Sequence, residues 1–64
     1  MEKKEFKKRF RAVLSKYGEA TVELKNTDMV YANSYQFSKR GNIWLKKNKE
    51  YTGLTELRHI EMVF

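Results

Sequence analysis

The sequence predicts an α+β fold in which an N-terminal helix packs on a small, strongly bent antiparallel sheet or barrel of four to five strands. Residues 2–17 repeat apolar side chains at helical spacing. From Ala20 onward the chain is rich in β-branched and aromatic residues and has no long helical period. The 64 residues suffice for a single domain, 1–64, without repeats or linkers.

The predicted helix, residues 2–17, has one apolar face made of Phe6, Phe10, Val13, Leu14 and Tyr17. We expect this face to cover a sheet containing Val22, Leu24, Ile43 and Leu45. The opposite face carries Lys4, Lys7, Lys8 and Arg11. These cations are either solvated, available to phosphates or, as the least favoured alternative, placed on a membrane surface. Gly18 is expected to end the helix, because glycine adopts the left-handed conformation without steric cost.

Four strands are predicted after the helix, at about 20–26, 29–37, 42–48 and 58–64, with a further short strand near 50–54 as an alternative. The turns between them are rich in Asn, Asp, Ser and Gly, and lie at 26–28, 38–42 and 48–50. Gly41 can supply a positive φ in the second turn. Such an order of elements is typical of a bent sheet or small barrel.

The composition favours an anionic partner and no catalysis. There are 14 Lys and Arg against 8 Asp and Glu, a net charge of +6, and all but one of the basic residues lie within residues 1–50. This surplus attracts nucleic acid, anionic membranes or acidic proteins, although it can also serve solubility alone. The only histidine, His59, has no nucleophile at a recognisable spacing, and no Gly-rich phosphate loop is present. We therefore expect no enzyme.

The same inventory bears on cofactors and location. The chain has no cysteine, so neither a disulfide nor a thiolate metal site can form, and we expect no metal or cofactor. No apolar run is long enough to span a bilayer, so we expect no membrane partner. Met1–Lys4 is charged and is followed by more charge, which predicts no secretory signal and a cytoplasmic location.

Aromatic and basic residues alternate between Tyr31 and Tyr51, a pattern that single-stranded nucleic acid binders use to stack bases and neutralise phosphates. The predicted strand 29–37 leaves two alternatives open. Its aromatic face, which includes Tyr35 and Phe37, is either core or binding surface. On the next strand, burial of Ile43 and Leu45 would turn Trp44 outward, and an outward tryptophan indicates an interface.

The chain also resembles the Sm-like family of small, ring-forming, RNA-binding barrels, which share a bent SH3-like architecture. That family has a Leu-Lys-Asp-Gly turn, a later Gly, then Phe-Asp-x-x-Met-Asn and an apolar strand. The ungapped counterparts here are Leu24-Lys25-Asn26-Thr27, Ala32, Phe37, Asn42 and Ile43-Trp44-Leu45. Ser38 replaces the family's acid and Gly41 its Met, while Leu57-Arg58-His59-Ile60 stands for the second motif.

The resemblance implies a base-binding role for three residues. Arg40 would stack on a base, Asn42 would hydrogen-bond the base edge, and Arg58 would complete the pocket. Each residue also has an alternative without a binding role. Arg40 would be a charged residue at the tip of a turn, Asn42 a turn residue and Arg58 a solvated cation on a strand. In the family the acid helps to orient the loop, so its replacement by Ser38 bears on the geometry of the pocket.

These patterns predict a small basic module that binds nucleic acid, with single-stranded RNA as the first choice. The predicted contacts are Lys39, Arg40, Asn42, Lys46, Lys47 and Arg58. The alternative is a phage or mobile-element factor that docks on a host protein through a basic, aromatic surface. We also expect self-association, with Ile60–Phe64 at or near the contact, because a small barrel leaves strand edges unpaired.

Overall fold

A computed structural model describes all of residues 1–64 and confirms the α+β class. In chain order its elements are α1 (Lys3–Tyr17), β1 (Ala20–Leu24), β2 (Met29–Ala32), β3 (Ser34–Phe37), β4 (Asn42–Lys47), β5 (Glu50–Glu56), a short 3-10 turn (Leu57–His59) and β6 (Ile60–Val63). No helix in this structure has the length and apolar character needed to cross a bilayer.

The strands form two antiparallel three-stranded sheets, ordered β2-β1-β6 and β3-β4-β5. The prediction of four to five strands is therefore wrong in number, and the two sheets are not closed into one barrel. The short strand near 50–54, predicted only as an alternative, is present as the full strand β5, which pairs with β4. The predicted last strand is shorter, because Leu57–His59 forms the 3-10 turn that carries Arg58.

The predicted strand 29–37 is interrupted at Asn33, which separates β2 from β3 and places them in different sheets. The inward-facing positions change phase at this residue. Ala32 is fully buried on one side of the break, whereas Tyr35 and Phe37 pack on the core on the other side. The core therefore takes alternate residues from each half of the segment, and neither predicted face of a continuous strand is the buried one.

Hydrogen bonds of the Asn33 side chain also link the break between β2 and β3 to the β4–β5 turn. Its Nδ2 donates to Asn48 Oδ1 at 2.9 Å, and the Asn48 backbone N–H donates to Asn33 Oδ1 at 3.1 Å. Asn48 and Lys49 both have positive φ, 52° and 71°. Two consecutive residues with positive φ are typical of the two-residue hairpin turn that matches the twist of paired strands. The predicted turn at 48–50 is thus confirmed and is linked to the point where the chain changes sheet.

The helix ends as predicted, at Gly18, which has φ 76° and donates its N–H to the Leu14 carbonyl at 2.8 Å. Phe6 and Phe10 are buried, as the apolar period predicted, while Val13 and Leu14 are only partly buried. Tyr17 is 68% exposed, so its predicted place in the core is wrong. Burial decreases along α1 towards its last residue, where the chain turns back at Gly18.

The core contains nine buried hydrophobic residues from the helix and both sheets: Phe6, Phe10, Ala20, Val22, Ala32, Ile43, Leu45, Ile60 and Val63. Aromatic edges fill the space between α1 and β3. The ring centroids of Phe6 and Phe10 lie 5.1 and 4.8 Å from that of Tyr35, in edge-to-face geometry. Such contacts add about 0.5–1.5 kcal/mol each beyond the burial of area.

Gly53 is the point of closest approach between β5 and the other sheet. A Cβ at this position would lie 3.0 Å from Cγ1 of Val30 on β2. We predict that Gly53→Val lowers the free energy of unfolding by about 1–3 kcal/mol, the usual cost of overpacking a filled site. Urea denaturation of the variant and of the unchanged protein measures this difference in the free energy of unfolding.

The companion change Val30→Ala makes room for the new side chain. The double variant should therefore be more stable than Gly53→Val alone, in a double-mutant cycle with a clear coupling energy. Additive effects of the two substitutions would contradict this contact.

Candidate nucleic-acid interface

The outer face of the β3-β4-β5 sheet presents three residues of β4 to solvent. Ile43 and Leu45 are fully buried, so the alternation of the strand directs Asn42, Trp44 and Lys46 to the opposite side. The sequence predicted this outward position for Trp44 if Ile43 and Leu45 were buried. Two of the predicted nucleic-acid contacts, Asn42 and Lys46, therefore flank an exposed tryptophan on a single strand face.

Side chains of β5 complete a surface that we call the aromatic platform, defined as Trp44, Lys46, Tyr51 and Leu54. Trp44 pairs with Leu54 across the strands, and Lys46 pairs with Tyr51. The Trp44 and Tyr51 ring centroids are 5.0 Å apart, with the rings inclined at 60°. Trp44 is 37% exposed, Tyr51 62% and Leu54 50%. Large apolar side chains thus meet on the solvent side of the sheet, where they add nothing to the core.

Sequence analysis missed Leu54, and it included Tyr51 only as part of a mixed aromatic and basic segment. Tyr51 and Leu54 are three residues apart, a spacing that puts residues of a regular strand on opposite faces. A register shift opposite Leu45 and Lys46 inserts Thr52 as an extra residue and brings both onto the outer face. The exposed Trp44 was the one signal that could have pointed to its cross-strand neighbours.

The platform is cationic as well as aromatic. Lys46 Nζ lies 4.8 Å from the centroid of the Tyr51 ring, within range of a cation–π contact, and has no carboxylate partner. Gln36 on β3 borders Trp44 in register and adds an amide. This combination offers stacking surfaces for bases and a free ammonium group for a phosphate, the chemistry that single-stranded nucleic acid requires.

Ser38 orders the β3–β4 turn, which carries Lys39 and Arg40. Its Oγ accepts hydrogen bonds from the backbone N–H groups of Arg40, at 3.3 Å, and Asn42, at 3.1 Å. Gly41 has φ 83°, which confirms the positive φ expected there. Lys39 and Arg40 are exposed and have no carboxylate partner. The turn therefore holds two free cations next to Asn42, the first residue of β4.

Arg58 lies in the 3-10 turn, where it is held by an acidic residue. Its Nε donates to Glu56 Oε2 at 2.6 Å, and His59 Nε2 lies 3.8 Å from the same oxygen. Glu56 is the cross-strand partner of Asn42 in the β4–β5 register. A shallow pocket of about 530 Å³ opens here, lined by Leu54, Thr55 and Glu56 among others.

Lys47 lies on the other side of β4 from Lys46, and its Nζ is 2.8 Å from Glu19 Oε1. The six predicted contacts thus occupy different surroundings. Lys46 belongs to the platform and Asn42 borders it, Lys39 and Arg40 lie on the adjoining turn, and Arg58 and Lys47 are ion-paired. No group of three or more His, Cys, Asp or Glu side chains lies close enough to hold a metal ion.

A second exposed face lies on the outer side of the β2-β1-β6 sheet. Thr21 pairs with Tyr31 on one side and exchanges two backbone hydrogen bonds with Phe64 on the other, at 2.6 and 2.9 Å. Met29 is exposed in the next row, opposite Glu23, which also pairs with Met62. This face carries apolar side chains and a carboxylate but no basic residue of its own strands, unlike the aromatic platform.

Comparison with known protein families, curated proteins and solved structures finds no match to this chain.

The Ser38 hydroxyl is expected to determine the order of the Lys39–Arg40 turn. We predict that Ser38→Ala increases amide hydrogen exchange at Arg40 and Asn42 and costs about 0.5–1.5 kcal/mol of stability, because both backbone donors lose their acceptor. Ser38→Asp should retain the protection, since a carboxylate oxygen accepts the same bonds. Ser34→Ala, on the exposed face of β3, is the control. Unchanged exchange in Ser38→Ala would show that the hydroxyl does not order the turn.

Proposed function

We propose that this protein is a small basic module that binds single-stranded nucleic acid, with RNA as the first choice, and that it acts without a cofactor. One observation carries the proposal: an exposed tryptophan–tyrosine pair on an outer sheet face, with an unpaired lysine over one ring and an amide at the end of the same strand. Bases stack on such rings regardless of sequence, and lysine neutralises the backbone. The net charge of +6 draws polyanions to it.

The roles of the remaining residues follow from their surroundings. Asn42 offers a donor and an acceptor to a base edge, and Lys39 and Arg40 offer charge to phosphates beside it. Arg58 stays in the proposal as an exposed guanidinium that is paired with Glu56, the cross-strand partner of Asn42. Lys47 must leave Glu19 before it can bind a phosphate, so we assign it the smallest contribution to nucleic-acid binding.

An Sm-like assignment is part of the proposal, and two features support it. The chain runs from a helix into short antiparallel strands, with a 3-10 turn before the last one. In addition, Ser38 makes the loop-ordering hydrogen bonds that the resemblance gives to an acidic residue. A cytoplasmic location, expected from the sequence, belongs to the same proposal.

Trp44 is the only tryptophan in the chain, so its fluorescence reports directly on the platform. We predict that single-stranded RNA and DNA quench this fluorescence at low salt. The affinity should fall with salt with a log–log slope near −0.7 per neutralised phosphate. Lys46→Ala should weaken binding about equally for all sequences, whereas Asn42→Ala should reduce the difference between preferred and other bases.

A matched pair of tyrosine variants tests the position of the site. Tyr51→Ala removes a platform ring, while Tyr31→Ala removes a ring that is also more than half exposed, from the outer face of the other sheet. Loss of one stacked base costs about 1–3 kcal/mol, so Tyr51→Ala should weaken binding about 5- to 150-fold and Tyr31→Ala should leave it unchanged. Equal effects of the two variants, or no binding at low salt, would overturn the proposal in favour of a protein partner.

We also propose self-association through the outer face of the β2-β1-β6 sheet, with a second copy of the chain as the occupant. Tyr31, Met29 and Phe64 are exposed there, and β6 is an edge strand with one side unpaired. Exposed apolar residues beside a free strand edge favour contact between chains. A docked host protein is the competing occupant of the same face.

This self-association should strengthen as salt rises, because salt screens the repulsion between copies that each carry +6. We predict that light scattering at high micromolar concentration shows a species larger than a monomer. Tyr31→Ser combined with Phe64→Ser should return it to a monomer, whereas Tyr17→Ser, on the exposed end of α1, should not. A wild-type monomer at every concentration would exclude the second copy and leave the face to a host protein.

A further inference from the structure

Two lysines of α1 share one aromatic ring at the edge of the β3-β4-β5 sheet. Lys3 Nζ lies 4.7 Å and Lys7 Nζ 5.6 Å from the centroid of the Phe37 ring. Both side chains are exposed, and neither has a carboxylate partner. The ring attracts both ammonium groups, which repel one another, so an arriving anion would gain from both and relieve their repulsion.

Phe37 also joins these lysines to the β3–β4 turn. Lys39 and Arg40 follow it by two and three residues, and they are likewise exposed and unpaired. Three other cations of the chain are paired with carboxylates: Arg9 with Glu5, Lys47 with Glu19 and Arg58 with Glu56. We call the unpaired group, Lys3, Lys7, Lys39 and Arg40, the basic ridge.

The basic ridge lies at the end of the sheet that carries the aromatic platform, on the β3–β4 turn and on the α1 side of Phe37, whose ring packs on the core. Asn42, Trp44 and Lys46 lie in a row on the outer side of β4, over about 13 Å, and the turn leads directly into the first of them. At the same end of the sheet Glu56 of β5 pairs in register with Asn42, and its carboxylate is held by Arg58. A single-stranded nucleic acid with bases on the platform reaches the four cations of the ridge by passing over the β3–β4 turn towards α1, whereas the turn at the opposite end of β4 offers Lys49.

We propose that the basic ridge binds the sugar–phosphate backbone of the same single strand whose bases stack on the aromatic platform. This inference rests on the proposed function and adds a route and a minimum length for the ligand. A trinucleotide covers the platform alone, whereas a dodecanucleotide reaches the ridge as well. The span is consistent with the roughly 4–16 nucleotides that a small single-strand-binding barrel contacts.

The test compares the two ligands on two charge-matched variants. Lys3→Gln with Lys7→Gln removes the helical part of the ridge. Lys8→Gln with Lys16→Gln removes the same charge from exposed positions of α1 that do not contact Phe37. Oligouridines of both lengths are titrated against each variant while Trp44 fluorescence and a labelled ligand are followed, at two salt concentrations.

We expect the ridge variant to bind the dodecanucleotide with a log–log salt slope shallower by about 1.4, because two phosphate contacts are lost. Its binding of the trinucleotide should match that of the control variant. Lys39→Gln with Arg40→Gln should give the same pattern from the turn side. Concordant results from both ridge variants would establish the route.

Equal losses in the ridge and control variants would overturn the inference, since the charges would then act only as a diffuse field. Equal affinity of the wild type for both lengths would also overturn it. In both cases quenching of Trp44 would still support the platform. Absence of quenching by either ligand would remove the proposed function together with the ridge.

Discussion

The rest of the structure depends on two phenylalanines of the helix. A chain of 64 residues buries only about 60% of the surface that it exposes when unfolded, so few side chains are available for a core. Phe6 and Phe10 are the largest fully buried ones, and they close the space between α1 and β3 by contacting the edge of Tyr35. With this aromatic cluster in place the core is complete. Trp44 and Tyr51 then lie outside the core, on the solvent side of the β3-β4-β5 sheet.

Much of this fold follows from periodicity. The spacing of apolar residues predicted α1 to within one residue at its start, and the alternation of Ile43 and Leu45 predicted the outward face of Trp44. These predictions succeed because the face of α1 that carries Phe6 and Phe10 and the face of β4 that carries Ile43 and Leu45 are buried. Tyr17 is exposed although it has the apolar spacing of the buried residues. The spacing shows which side of the helix faces the core, but it does not show how far along the helix the sheet extends.

The errors arise where a single residue changes the phase of the chain. Asn33 shifts the alternation between β2 and β3, and Thr52 does the same within β5. The residue type does not indicate such a shift, because Asn and Thr also occur in regular strands and turns. The shift at Asn33 depends on its hydrogen bonds to Asn48, a contact between residues 15 positions apart. Local pattern alone therefore could not show that the inner aromatics and the outer ones belong to different faces.

In the candidate site, too, the sequence identifies the residue types, but only the fold shows which side chains lie close together. Lys46 and Lys47 are neighbours with identical chemistry, yet one lies over Tyr51 and the other pairs with Glu19, because consecutive strand residues point to opposite faces. Solubility accounts for a net charge of +6 but not for the places where the charges stay unpaired. Lys3 and Lys7 lie beside the Phe37 ring and Lys46 beside the Tyr51 ring, at one edge and on one face of a single sheet. A long polyanion that also has flat, stackable groups fits this distribution better than a small anion, which would need only one of these places.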